Sequence, residues 1–113
     1  MTDLNSLRAS LASGEHAFAD TLAFVAAHYE YRPQAFRNGE LENAAGTNEG
    51  SCKTLGLALL EGLSDEEALL AFGEYYRGVL ATPNDTDHGN IRNLMAHGLA
   101  GVTFAEQPLT PKG

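Results

Sequence analysis

The stretch Ser51-Cys52-Lys53-Thr54-Leu55-Gly56-Leu57-Ala58-Leu59-Leu60-Glu61-Gly62 decides the fold. At helical spacing Leu55, Ala58 and Leu59 share one face, and Leu57 and Leu60 cover another. A helix that is apolar on more than one side packs in the middle of a domain. The reading is a central buried helix over about residues 52–61, N-capped by Ser51 and closed by Gly62. Four to five helices packed around it give a fold that is mainly α, or α+β with minor β.

Upstream, residues 33–50 show no helical period. Asn38-Gly39 marks a turn, and a short strand is expected near residues 40–43. Long irregular segments in small domains are often functional when ordered. Asn38, Asn43 and Asn48 can bond neighbouring backbone, and Gly39, Gly46 and Gly50 can supply positive φ. The segment is expected to fold back against Arg77 and Arg92 beside the start of the central helix, walling a shallow polar pocket. Before it, Phe18, Leu22, Val25 and Tyr29 form a stripe on a helix ending near Tyr31, because Pro33 disfavours a helical Arg32. Leu4, Leu7 and Leu11 predict a first, loosely docked helix within residues 1–14.

Downstream, Ser64 and Glu67 form a capping-box pattern. Leu69, Phe72, Tyr76 and Val79 make the buried stripe of one helix, weakened or ended at Gly78. Asp85 or Asp87 caps a last helix with Ile91, Leu94 and Met95 inward and Gly98 at its end. Val102 and Phe104 alternate as in a strand, so residues 101–105 are expected to pair with residues 40–43 in a short two-stranded sheet. No linker interrupts residues 1–113, which read as a single domain.

The chain has 113 residues, 43% of them hydrophobic, and a formal charge of −8 from 15 acids and 7 bases. That field disfavours nucleic acid and anionic membrane as partners. Cys52 is the only cysteine, which excludes an intramolecular disulfide and points to a reducing compartment. Nothing approaches the roughly 18–20 apolar residues that span a bilayer. The N-terminus lacks the layout of a cleaved secretory signal.

Five segments resemble the HopJ type III effector family. They are Phe18-Ala19-Asp20-Thr21, Phe36-Arg37-Asn38-Gly39, the run from Asn43 to Lys53, the run from Phe72 to Arg77, and the run from Asp87 to Asn93. The likeness runs from about Phe18 to Phe104. It implies a bacterial cytoplasmic protein, with secretion into a host cell by a type III system as the further implication. It brings no reaction, because the family has no established activity. Two positions depart from the family pattern. Leu99 stands where relatives carry tryptophan, and the stretch from Arg77 to Leu80 is one residue shorter.

The leading functional reading is therefore a binding or interaction module. Its partner would be a host or bacterial protein, or a small anion. Two alternatives stand beside it. One is a cysteine-dependent hydrolase or transferase, with Cys52 in the first turn of its helix beside Lys53 and His88 as base, oriented by Asp85, Asp87 or Asn90. The bland counterpart is a cysteine packed as a small hydrophobe. The other is a bacterial housekeeping protein that binds a small anion.

The run from Gly46 to Thr54 invites comparison with a phosphate loop, but Ser51 and Cys52 separate Gly50 from Lys53. What survives is a Gly-rich turn feeding a helix start, whose free amides can hold an anion unless Ser51 caps them itself. Arg37, Lys53, Arg77 and Arg92 all lie in the motif segments and suit carboxylate or phosphate. Internal ion pairs with Asp20, Glu74 or Asp87 are the structural counterpart. The candidate binding set is Arg37, Asn38, Asn43, Asn48, Ser51, Lys53, Arg77, Asn90 and Arg92. Asp85, Asp87 and His88 read better as a helix cap than as cation ligands, so neither a metal nor a cofactor is assigned.

Overall fold

A computed structural model describes residues 4–112. In chain order the elements are α1 (Leu4–Ala12), α2 (Phe18–His28), β1 (Tyr29–Tyr31), β2 (Phe36–Asn38), β3 (Leu41–Asn43), α3 (Glu49–Glu61), α4 (Asp65–Leu70), α5 (Glu74–Ala81), α6 (Gly89–His97), a 3-10 turn (Leu99–Gly101), β4 (Val102–Phe104) and β5 (Leu109–Pro111). The described residues thus hold six α-helices, one more than the sequence reading allowed, and the class is mainly α with a little β.

Helix α3 is the central element. Leu55 and Ala58 on one side join Phe36, Phe72, Val79, Ile91 and Leu94 in one apolar cluster. Leu57 on another side joins Leu7, Leu11, Val25, Tyr29 and Leu109 in a second. The helix therefore separates two cores, which is what its two apolar faces require. Two details differ from expectation. Leu59 and Leu60 turn outward, at 39% and 37% exposure. The helix also starts earlier than Ser51: its N-cap is Asn48, in the left-handed region at φ 49°, ψ 48°, which Asn tolerates better than most residues. Gly62 closes the helix at φ 70° as expected.

Residues 33–50 are more regular than their sequence suggests. They hold an antiparallel hairpin in which Phe36 faces Asn43 and Asn38 faces Leu41. Strand β4 pairs on the other side of β2, with Phe36 opposite Phe104 and Asn38 opposite Val102. The two predicted strands both exist, yet they do not pair with each other; β2 lies between them. A second, two-stranded sheet joins β1 to β5. That pairing draws Tyr29–Tyr31 into extended backbone, so α2 ends at His28 rather than near Tyr31. Helix α1 buries Leu7 and Leu11.

The capping box of α4 is present, with Ser64 N donating to Glu67 Oε1 at 2.9 Å and Glu67 N donating to Ser64 Oγ at 3.0 Å. The stripe from Leu69 to Val79 is nevertheless split. Gly73 sits at φ 60°, ψ −127° between α4 and α5. A Cβ there would lie 2.4 Å from the backbone nitrogen of Phe18, so glycine is what lets the start of α2 approach this junction. The break rotates α5 relative to α4 and leaves Tyr76 half-buried rather than sealed. Helix α6 keeps Ile91 and Leu94 inward, but Met95 is 44% exposed, and its N-cap is His88 instead of Asp85 or Asp87.

Two glycines in one short stretch should respond oppositely to alanine. Gly73→Ala is expected to destabilise by about 2–4 kcal/mol, from positive φ and the clash with Phe18. Gly78 lies inside α5 and a Cβ there meets nothing within 4 Å, so Gly78→Ala should stabilise by about 0.5–1 kcal/mol. Urea unfolding of the two variants reads both signs. Equal and small effects would contradict the break at Gly73.

Candidate functional site

Four asparagines tie the hairpin to two helix starts. Asn43 and Asn90 face each other as a reciprocal amide pair: Asn90 Nδ2 donates to Asn43 Oδ1 at 3.0 Å, and Asn43 Nδ2 donates to Asn90 Oδ1 at 3.2 Å. Asn38 Nδ2 donates to the Asn90 carbonyl at 2.7 Å. Asn48 Nδ2 donates to Asn43 Oδ1 at 2.6 Å. Asn38, Asn43 and Asn90 are all buried, where low dielectric strengthens such a network.

The network has a consequence for α3 and α6. Asn48 spends its side chain on Asn43, so it does not cap α3, and His88 does not cap α6 either. The first amides of both helices are left without a side-chain partner. Both helix starts open on one cleft of about 410 Å³, lined by Asn48, Gly50 and Ser51 from α3 and by His88 to Ile91 from α6.

The rest of the wall is aromatic and apolar. Phe18, Phe72 and Tyr75 line it, with Leu41 from the hairpin. Phe18 stacks on Phe72 with ring centres 5.8 Å apart, meets Tyr75 edge-on at 5.4 Å, and Tyr75 continues to His88 at 5.5 Å. Gly50 lets the Phe18 ring lie against the α3 backbone, since a Cβ there would come 2.7 Å from the ring. Among the described residues, no aspartate or glutamate lines the cleft. Acids next to the lining residues of α3, α5 and α6 are engaged elsewhere, beginning with Glu49, which accepts from the Tyr31 hydroxyl at 3.0 Å. Glu74 accepts from Phe18 N at 2.8 Å, which holds its carboxyl below the usual range. Asp87 is held low by Arg92, at 2.6 Å, and also faces His88 at 3.6 Å.

The predicted site residues divide into two groups. Asn48, Ser51, Asn90 and His88 line the cleft, with Asn38 and Asn43 beneath it in the network. The cations do not join them. Arg37 Nε donates to the Gly39 carbonyl. Lys53 stands over the Tyr31 ring at 4.8 Å. Arg77 donates to the carbonyls of Gly14 and His16, both at 3.3 Å. Arg92 grips Asp87. The expected fold-back of the hairpin onto Arg77 and Arg92 is replaced by its fold-back onto Asn90. The sequence reading missed Phe18, Phe72 and Tyr75 as site residues, because Phe18 and Phe72 read as core stripe and Tyr75 falls off the stripe of its helix.

Cys52 is 1% exposed. Its Sγ lies 3.8 Å from the Gln34 carbonyl, and burial pushes its thiol pKa up. A nucleophilic cysteine needs a lowered pKa and access. No hydrogen bond joins it to His88, which stands beside Tyr75 and Asp87. The arrangement is that of a packed side chain rather than a nucleophile–base pair. Among the described residues, no three His, Cys, Asp or Glu side chains gather as a metal would require.

Asn90→Ala removes the reciprocal pair; Asn43 Oδ1 keeps Asn48 as its donor, but the buried Asn43 Nδ2 is left with only the carbonyls of Phe36 and Leu41, both at 3.5 Å. The substitution should cost about 2–3 kcal/mol in urea unfolding. Asn48→Gly keeps the left-handed turn and loses one part-exposed bond, so a cost under about 1 kcal/mol is expected. A loss below about 0.5 kcal/mol for Asn90→Ala would show that the network does not hold the helix starts.

Comparison with known proteins agrees with the sequence resemblance. The model of the family described as HopJ type III effector protein matches residues 4–109. The crystal structure of a protein of unknown function, VPA0580, superposes with a TM-score of 0.92 at 40% identity, covering 97% of this chain and 94% of that one. No curated protein matches. The chain belongs to the HopJ type III effector protein family.

Proposed function

We propose that this chain is a binding module whose recognition site is the cleft between the starts of α3 and α6. The observation that carries the reading is convergence. Four of the five family-like segments contribute to that one cleft: Phe18 from the first, Asn48, Gly50 and Ser51 from the third, Phe72 and Tyr75 from the fourth, and His88 to Ile91 from the fifth. The remaining segment, with Asn38, supports it from beneath. A volume near 410 Å³ suits a small ligand or one protruding group of a larger partner.

The lining selects the chemistry. Three aromatic side chains offer an apolar wall, and two helix starts present amides to a negative group. A ligand with a planar ring and one carboxylate or phosphate satisfies both. The absence of acids from the lining of so acidic a chain favours the same class. The family's description as type III effectors supports export into a host cell, where such a group would belong to a host molecule. No helix among the described residues is long and apolar enough to cross a membrane.

Phenyl phosphate, with benzoate and inorganic phosphate beside it, probes this reading by two-dimensional NMR. Saturable shifts should concentrate on the amides of Gly50, Ser51, Gly89 and Asn90, with phenyl phosphate binding tighter than phosphate. Tyr75→Ala should weaken phenyl phosphate by roughly three- to tenfold, an ordinary contribution for one aromatic contact. Shifts clustered around Arg37, Lys53 or Arg77, or no saturable shift at millimolar ligand, would overturn the proposal.

A further inference from the structure

A second polar cluster lies away from the cleft. His16 sits in the connector between α1 and α2 and is 3% exposed. Its Nδ1 is 2.7 Å from Ser10 Oγ on α1, and its Nε2 is 2.7 Å from Thr21 Oγ1 on α2. Thr21 in turn donates its hydroxyl proton to the Ala71 carbonyl at the end of α4, at 2.7 Å.

These contacts fix the tautomer. Because the Thr21 proton is committed to Ala71, Thr21 Oγ1 accepts from the ring, so Nε2 carries hydrogen. Nδ1 is then the acceptor and Ser10 the donor. One neutral form of His16 satisfies every partner and ties α1, α2 and α4 together. A second proton on Nδ1 would place donor against donor. Ser10 would have to turn its hydrogen away, and a full charge would sit in an enclosed site.

We propose that His16 is an acid-sensitive latch: neutral, it clamps α1 to the body of the domain, and its protonation releases α1. The charged groups around the ring are Asp20 from α2 and Glu74 and Arg77 from α5, while α1 presents the Ser10 hydroxyl. Both carboxylates are already bound as acceptors, Asp20 by Ala17 N at 3.1 Å and Glu74 by Phe18 N. Arg77 donates to the His16 carbonyl and opposes a positive ring. Burial outweighs the two carboxylates, so the His16 pKa lies below its ordinary 6.5. The stabilisation is fully present above about 6.5, where the unfolded residue is also neutral, and is lost as pH falls from there through the lower folded value.

Release has a defined reach. Besides the latch, α1 is held by Leu7 and Leu11 and by the ion pair of Arg8 with Glu67 at 3.1 Å. Its departure would uncover the apolar seat formed by Val25, Tyr29, Leu57, Ala71 and Leu109. The start of α2 keeps its own anchor, through Phe18 N on Glu74, so the cleft wall is not part of the device.

Amide hydrogen exchange of the full chain tests the latch. Between about pH 7.5 and about pH 5.5, after correction for intrinsic rates, opening of α1 should rise roughly three- to tenfold while α3 stays level. His16→Gln retains a donor toward Thr21 and cannot titrate, so its α1 opening should be flat over that range. In the unaltered protein, NMR titration of the His16 ring should give a midpoint below 6.5, and the rise in α1 opening should run from about 6.5 down to that midpoint and then level off. Opening of α1 that is unchanged with pH, or that follows a midpoint in the carboxylate range instead of the His16 midpoint, would overturn the proposal.

Discussion

The paired side-chain amides of Asn43 and Asn90 are the interaction on which the cleft end of this fold depends. Each donates to and accepts from the other. One comes from the last residue of a hairpin and the other from the first turn of α6. Their reciprocity fixes the hairpin's position, because sliding either partner breaks both bonds in a buried site. Asn48 is drawn to the same pair and so sets where α3 begins. The cost is that two helices start without side-chain caps. Unmade caps are worth about 1 kcal/mol each, and this structure turns that loss into exposed amides facing a shared cleft.

Electrostatics separates the cleft from the rest of the molecule. The chain carries −8 overall, yet Glu49, Glu74 and Asp87, each next to a lining residue, are bound by the Tyr31 hydroxyl, by Phe18 N and by Arg92. The basic residues of the motif segments serve structure. Arg77 satisfies carbonyls in the connector after α1, and Arg92 grips Asp87 just before α6. Backbone amides therefore supply the positive potential that side chains do not. Such a site is pre-organised, because amides at a helix start have no rotamer freedom to lose on binding.

The core of the fold was legible, and the reason is local. The two apolar faces of residues 52–61 are a property of that segment alone, as are the Ser64–Glu67 box and the Gly62 cap. The site was legible in part. Asn38, Asn43 and Asn48 were picked out by residue type as turn formers, and Asn90 as a group that could orient His88, rather than as partners of one another. Their pairing joins positions 47 residues apart, which no local pattern encodes. The aromatic wall was hidden for a similar reason: Phe72 and Tyr75 have the spacing of one helix until Gly73 breaks it to admit Phe18. Arg37, Arg77 and Arg92 lie outside the cleft because all three donate to backbone carbonyls, acceptors present at every position and so invisible to charge counting.

The cleft is preformed only if the hairpin is held in place before any ligand arrives. Hydrogen exchange of the free protein across residues 36–43 measures this directly. The cross-strand amides of this hairpin should be protected to a degree approaching α3, since their opening requires the buried asparagine pair to part. Exchange there at free-peptide rates, with α3 still protected, would mean that the pair does not hold the hairpin and that the cleft is not preformed.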